Sequence, residues 1–342
     1  MKKINYLKEN GTIYLVAPSF GCVTEPYKTR LGYAIDNLKE DGFNIIEGPN
    51  IYLAKTKTRS NSPKKCANEF NNAYLNSNAD VIVSVGGGET MCEILPYIDF
   101  KRIKKAPSKI FMGFSDNTNL TYTLTTICDV YSLYGVNAGA FAFKPYVYGT
   151  KDALDVLNGK KKTIDGYPYW EKEKIPESKE DPLCPSNYSK VKKIITYPKK
   201  DELSFEGRLL GGCLDCLLTL CGTRFDKTKE YIERYKDDGI IFFLESCDLS
   251  PLDIQRGLFQ LKEAGWFKYI KGFIIGRPLD FDSKPFGIGH IEAYRNSLKC
   301  FNVPLLMDCD LGHFDPSMPI ITGAKAKVTY KNKNITIEYL DI

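Results

Sequence analysis

The stretch KIFMGFSDNTNL, residues 109–120, decides the architecture. An apolar run ends in Gly113-Phe114, a serine and an aspartate follow, and a helical pattern opens at once. A strand that turns directly into a helix is the repeating joint of an α/β sheet. Ser115 stands in that joint, and two readings of it stay open. Serine ahead of a helix is the ordinary cap, because its oxygen takes an orphan backbone N–H. The same position is where a strand–turn–helix presents a nucleophile.

Outward from this joint the rhythm repeats through the first 150 residues. Strands are expected at 12–16, 43–46, 80–85, 110–114 and 129–134, with helices at 30–40, 64–76 and 116–127. Short apolar strands alternating with amphipathic helices predict a parallel sheet covered on both faces. Residues 145–205 break the pattern. They are rich in Pro, Lys, Glu and Tyr, with Trp170 standing alone among them. This segment reads as a linker or crossover, and Trp170 either packs or lines a site.

Alternation resumes from residue 206, with strands expected at 239–244, 273–276 and 304–307. Ser250-Pro251-x-Asp253 is a capping box opening a helix that stops before Gly265. The terminal AKVTYKNKNITIEYL, residues 326–340, reads as a hairpin about Lys-Asn-Lys-Asn.

At 342 residues the chain exceeds one ordinary core, so two domains are expected. Hydrophobic content of 43% beside 26% charged residues is that of a globular protein. The net charge of +5 is mild and scattered, which argues against nucleic acid as partner. No apolar run reaches membrane-spanning length, and the N-terminus lacks the apolar core of a signal peptide. The eleven cysteines, odd in number and irregularly spaced, suit reduced thiols in a cytoplasmic protein.

Chemistry at neutral pH asks first for histidine, and the chain has two. His290 precedes a helical pattern and reads as a surface or capping residue. His313 follows the strand at 304–307 in a turn of Asp, Gly and Pro. Glu245 closes the apolar run at 240–244. Ser115, Glu245 and His313 therefore each stand at the C-terminal end of an expected core strand, the edge where open α/β sheets collect ligands. A serine hydroxyl needs a base to take its proton, and an imidazole base needs a carboxylate to fix its tautomer. Gly86-Gly87-Gly88 ends a neighbouring strand, and its bare backbone could donate to an oxyanion, allow a tight turn or cradle a phosphate. The lysine of a P-loop is missing. Cys213-Leu-Asp-Cys216 is a CxxC without a second pair, which leaves buried thiols or a redox dithiol and disfavours zinc.

Several motifs in order carry a family resemblance. They are Ala17-Pro18-Ser19, the glycine loop followed by Leu-Pro-Tyr-Ile-Asp at 95–99, Gly-Phe-Ser-Asp-x-Thr at 113–118, Gly-Arg-x-x-Gly-Gly at 207–212, Leu-Glu at 244–245 and Gly-His at 312–313. Together they resemble the LD-carboxypeptidase and microcin C immunity group of serine peptidases over nearly the whole chain. The resemblance implies a Ser-Glu-His triad at Ser115, Glu245 and His313. It also implies backbone oxyanion donors at Asp116 and the loop of Gly87 and Gly88, no metal or other cofactor, and a homodimer.

The fold implied is α/β in two domains with the active site between them. A flavodoxin-like parallel-sheet domain, 1–145, would carry the nucleophile. A crossover, 146–205, would lead to a mixed-sheet α/β domain, 206–342, carrying Glu and His. Cys213 stands where the family usually has Asn, and Cys is the poorer hydrogen-bond partner if that position touches substrate. Trp170 matches an aromatic that stacks on a base in the immunity-type branch.

Two substrates follow from the resemblance. The first is a murein tetrapeptide losing its terminal D-alanine, and the second a peptidyl or aminoacyl nucleotide analogue. A non-catalytic small-molecule binder is the competing reading from another class.

Overall fold

The computed structural model describes residues 1–173, 175 and 180–342, and the elements below belong to these residues. The chain opens with Thr12–Val16 (β1), Tyr27–Glu40 (α1), Asn44–Glu47 (β2), Pro63–Leu75 (α2) and Val81–Ser84 (β3). Phe100–Ile103 (α3), Ile110–Gly113 (β4), Thr118–Cys128 (α4), Ser132–Tyr134 (β5) and Tyr148–Leu157 (α5) follow. Short strands Thr163–Asp165 (β6), Tyr169–Trp170 (β7), Lys190–Val191 (β8) and Ile195–Tyr197 (β9) then precede the long Leu203–Cys213 (β10). The second half holds Leu214–Leu220 (α6), Thr228–Arg234 (α7), Ile240–Glu245 (β11), Pro251–Glu263 (α8), Ile270–Gly276 (β12) and His290–Leu298 (α9). It ends with Leu305–Cys309 (β13), Ile320–Thr322 (β14), Lys325–Lys331 (β15) and Asn334–Tyr339 (β16).

One sheet runs β14-β5-β4-β3-β1-β2, in which the five N-terminal strands are parallel and β14 is antiparallel to β5. The winding 2-1-3-4-5 is that of a flavodoxin-like sheet. Its central strands VIVS and IFMG are buried at every position, which is why they read as unbroken apolar runs rather than alternations. The other sheet is mixed, β6-β16-β15-β10-β11-β12-β13-β9, with β10 to β13 parallel and antiparallel strands on either side. The α/β fold with one parallel-cored and one mixed sheet thus matches expectation.

Three local differences have physical causes. The expected strand at 129–134 begins only at Ser132, because Asp129 caps α4 in the left-handed region at φ 61°. The expected helix at 116–127 is a 3-10 turn over Ser115–Asn117 and then α4, with no side-chain cap from Ser115. Strand β10 alternates only over Leu203–Glu206 and is buried at every position from Gly207 to Cys213, a stretch that holds three glycines. Gly211, at φ +152°, lies so close to β11 that a Cβ would stand 1.8 Å from the Phe243 carbonyl oxygen.

The two sheets are not independent. Met112 of β4, Leu133 of β5, Leu209 of β10, Phe243 of β11 and Leu306 of β13 belong to one buried apolar cluster. On the other side of the first sheet, Tyr122 of α4 stacks on Trp266 with ring centroids 5.3 Å apart. The shared packing fixes the C-terminal ends of β4, β11 and β13 relative to one another. Among the described residues no helix is long and apolar enough to cross a membrane.

Candidate active site

Ser115 directly follows β4 across Phe114 and occupies the left-handed backbone region at φ 62°. That conformation is disfavoured for a residue bearing a Cβ and persists where surrounding contacts enforce it. It turns the hydroxyl out of the helix start, so Oγ does not cap α4. Instead Ser115 Oγ lies 2.9 Å from His313 Nε2. The other imidazole nitrogen, Nδ1, lies 2.8 Å from Glu245 Oε2. Glu245 is the last residue of β11 and fully buried, so the carboxylate points into the protein and not into water. His313 sits in the loop after β13, brought over Glu245 by Gly312, whose own Cβ would stand 2.8 Å from Glu245 Oε2.

Charge follows geometry. Burial opposes ionisation of Glu245, but His313 and the hydrogen bonds from His313 and Tyr134 hold its carboxyl below the usual range. Burial likewise opposes a charged His313, yet the Glu245 carboxylate and the Cys247 thiol outweigh it and raise the imidazole above its ordinary value. A hydroxyl, an imidazole and an ionised carboxylate in this series can move one proton from oxygen to nitrogen.

The glycine loop lies against the serine. A Cβ on Gly87 would stand 3.5 Å from Ser115 Oγ, and one on Gly88 only 2.0 Å from Ser19 Oγ. Asp116 joins the two loops with its side chain. Its Oδ2 accepts Ser19 Oγ–H at 2.6 Å and the Met91 N–H at 2.9 Å, while Asn119 Nδ2 donates to Oδ1 at 3.0 Å. Burial raises the Asp116 carboxyl against those hydrogen bonds.

Cys213 ends β10 opposite Glu245 in register, and its N–H donates to Thr118 Oγ1 at 3.0 Å. The thiol donates to Asp215 Oδ2 at 3.4 Å. A hydrogen bond with Cys216 and burial push the Cys213 thiol well above its ordinary value. Cys216 Sγ meets the Ser115 carbonyl at 3.7 Å. The pair is thus a protonated, packed support behind the serine turn, which fits the buried-thiol reading; all eleven cysteines are free.

Trp170, read as either packing or lining a site, is a packed ring: it lies on Phe281 and Phe314, with centroids at 5.4 and 5.1 Å, and the Arg277 guanidinium lies over it at 4.5 Å. Phe314 follows His313, so Trp170 borders the site through an intervening ring. His290 is not at the surface. It opens α9 with its side chain turned inward, Nε2 lying 2.8 Å from Asp308 Oδ1.

Sequence reasoning missed Tyr134, whose hydroxyl contacts both Ser115 N–H and Glu245, along with Ser19 and Cys247. The signal that singled out Ser115 and Glu245 applied equally to Tyr134: a polar tip at the C-terminal end of a core strand.

With this geometry in place, comparison with known proteins identifies the class. Residues 13–135 match the LD-carboxypeptidase N-terminal domain and residues 206–328 the LD-carboxypeptidase C-terminal domain, so the chain belongs to the LD-carboxypeptidase family of peptidases. It is similar to the microcin C7 self-immunity protein MccF of Escherichia coli, 27% identical over 91% of this chain and 88% of that one. It is also similar to the probable murein peptide carboxypeptidase of Bacillus subtilis, 23% identical over 97% of this chain and 93% of that one. The solved structure of MccF in complex with aspartyl sulfamoyl adenosine superposes over 100% of both chains with a TM-score of 0.83 at 24% identity.

Proposed function

We propose that this chain is a serine-type amide hydrolase in which Ser115 is the nucleophile, His313 the general base and then acid, and Glu245 the carboxylate that holds the imidazole. The observation that carries this reading is the continuous series Ser115 Oγ, His313 Nε2, His313 Nδ1, Glu245 Oε2, with contacts of 2.9 and 2.8 Å. Attack by Oγ on an amide carbonyl transfers the hydroxyl proton to His313. The imidazole then protonates the departing amine, leaving an acyl-serine. Water, deprotonated by the same nitrogen, releases the acid and restores the hydroxyl. The Asp116 N–H, at the start of the turn into α4, and the backbone of Gly87 and Gly88 are the donors assigned to the developing oxyanion.

For substrate, the favoured reading is an LD-carboxypeptidase acting on a murein tetrapeptide in the cytoplasm and releasing its terminal D-alanine. The packing of Trp170 supports it, because the ring is 6% exposed and enclosed by Phe281, Phe314 and Arg277, which leaves little surface for a nucleobase to stack on. The second reading, a hydrolase of aminoacyl or peptidyl nucleotides, draws on the 27% identity to the self-immunity protein. Cys213, behind Glu245 and buried, bears on both through the support of the carboxylate rather than through an exposed contact.

The test is a side-by-side assay. Purified protein and its Ser115→Ala variant are given a murein tetrapeptide and an aspartyl sulfamoyl adenosine. Release of D-alanine by wild type alone supports the first reading, and release of aspartate the second. Hydrolysis of either by Ser115→Ala at the wild-type rate would overturn the serine mechanism. Binding without turnover and without labelling by a fluorophosphonate would favour the non-catalytic reading.

A further inference from the structure

Tyr134 closes β5 with its ring buried and its hydroxyl between groups from opposite halves of the chain. The Ser115 N–H donates to it at 3.0 Å, and it donates to Glu245 Oε1 at 2.5 Å. We propose that Tyr134 is a positioning residue of this site, its one hydroxyl holding the left-handed backbone of Ser115 and giving the buried Glu245 carboxylate its second hydrogen bond. The proposal rests on the hydrolase reading above and extends it.

The backbone of Ser115 is held at φ 62°. A serine in the left-handed region stays there only if its neighbours demand it. A phenol from the adjacent parallel strand, bonded to the serine's own N–H, is such a demand. It has a consequence for the oxyanion: the Ser115 N–H is already committed, so the donors left at this turn are the Asp116 N–H and the glycine loop.

An ionised carboxylate with no solvent exposure is costly unless hydrogen bonds satisfy both oxygens. His313 serves Oε2, and Tyr134 serves Oε1. When the imidazole is neutral, as a base must be, its Nδ1–H still serves Oε2 but carries no charge to balance the carboxylate, and the phenol on Oε1 then matters most. Burial and the nearby Glu245 raise the Tyr134 hydroxyl well above its ordinary value, so it remains a donor throughout the working range. The hydrogen bond stabilises Glu245 most when His313 is neutral. It therefore lowers the proton affinity of the pair and keeps more His313 available as a base.

Other titratable groups face the trio: Cys213 from β10, Cys247 after β11, Tyr294 from α9 and Glu89 from the glycine loop. None of them bonds both Ser115 and Glu245. Tyr134 also packs on Phe243 with centroids 5.6 Å apart, so a purely structural role is the competing account. That account predicts lost stability on truncation but no change in the proton affinity of His313.

The chain has two histidines, so the imidazole nitrogens of His313 can be assigned by NMR with a His290→Gln reference. In Tyr134→Phe the His313 titration midpoint should rise by about one pH unit, a tenfold gain in proton affinity. Labelling of Ser115 by a fluorophosphonate at neutral pH should fall on the order of 10- to 100-fold, the range expected of a displaced attack geometry. Site-specific 3-fluorotyrosine at position 134, nearly the same shape but a stronger donor, should move the midpoint down. An unmoved midpoint in both proteins overturns the proposal. Should Tyr134→Phe fail to fold, the fluorotyrosine protein alone decides. Wild type that resists labelling would sink the hydrolase reading, while the titration would still judge the hold of Tyr134 on Glu245 and His313.

Discussion

The molecule contains two histidine–carboxylate pairs with the same contact length. His313 meets Glu245 at 2.8 Å, and His290 meets Asp308 at 2.8 Å. Both carboxylates belong to parallel strands of one sheet, β11 and β13, with β12 between them, and both are shielded from water. The pairs differ in what the ring meets next. His290 lies against the Phe281 ring with centroids 4.6 Å apart, whereas His313 presents its second nitrogen to the Ser115 hydroxyl. A buried pair of this kind is by itself a fold support. It becomes a candidate catalyst only where a third group, delivered by a different sheet, completes it.

The sharpest way to break this comparison is at the serine. Ser115→Ala should abolish fluorophosphonate labelling and lower turnover by several orders of magnitude with an unchanged circular dichroism spectrum. Glu245→Gln should come next. An amide keeps the shape but no longer balances an imidazolium, and a loss of about 10,000-fold in kcat is expected on the triad precedent. Activity in Glu245→Gln within tenfold of wild type would mean that the His313 pair is no more catalytic than the His290 pair.

A third effect concerns pH. The carboxylate raises His313 above the ordinary histidine value of about 6.5. A base must be neutral to act, so kcat/KM should climb as pH rises through that raised value, with its acid limb displaced to the alkaline side. In Glu245→Gln the residual limb should return towards the ordinary value. A wild-type limb at or below 6.5 would contradict the electrostatics described above.

The smallest effect belongs to the other pair. His290→Gln should leave labelling of Ser115 within about twofold. It should cost about 1–3 kcal/mol of stability in denaturant unfolding, because Asp308 loses its buried partner. A labelling defect as large as that of Glu245→Gln would erase the distinction between the two regions.

Much of this was legible in the sequence for a simple reason: strand-end chemistry is local. The runs at 110–113 and 240–244 announced where Ser115 and Glu245 emerge, and Gly312 flagged the turn that carries His313. The capping box of α8 and the terminal hairpin were equally readable, since each is specified within a few neighbouring residues. Strand β10 was not, because its glycines answer to the approach of β11 rather than to any periodicity. His290 was misread because its position beside glycines at a helix start said nothing of Asp308, eighteen residues away on another element. Trp170 looked solitary for the same reason: Arg277, Phe281 and Phe314 all arrive from the far side of the crossover.

The sequence alone determined the α/β alternation, the three strand ends and the side chains placed there, because hydrophobic period and turn chemistry act over short range. Only the tertiary structure decided that Ser115 is not a cap, that Tyr134 joins it to Glu245, and that one histidine of two completes a relay. Those outcomes depend on how two sheets pack about a shared core, and contacts between residues more than a hundred positions apart are set by that packing.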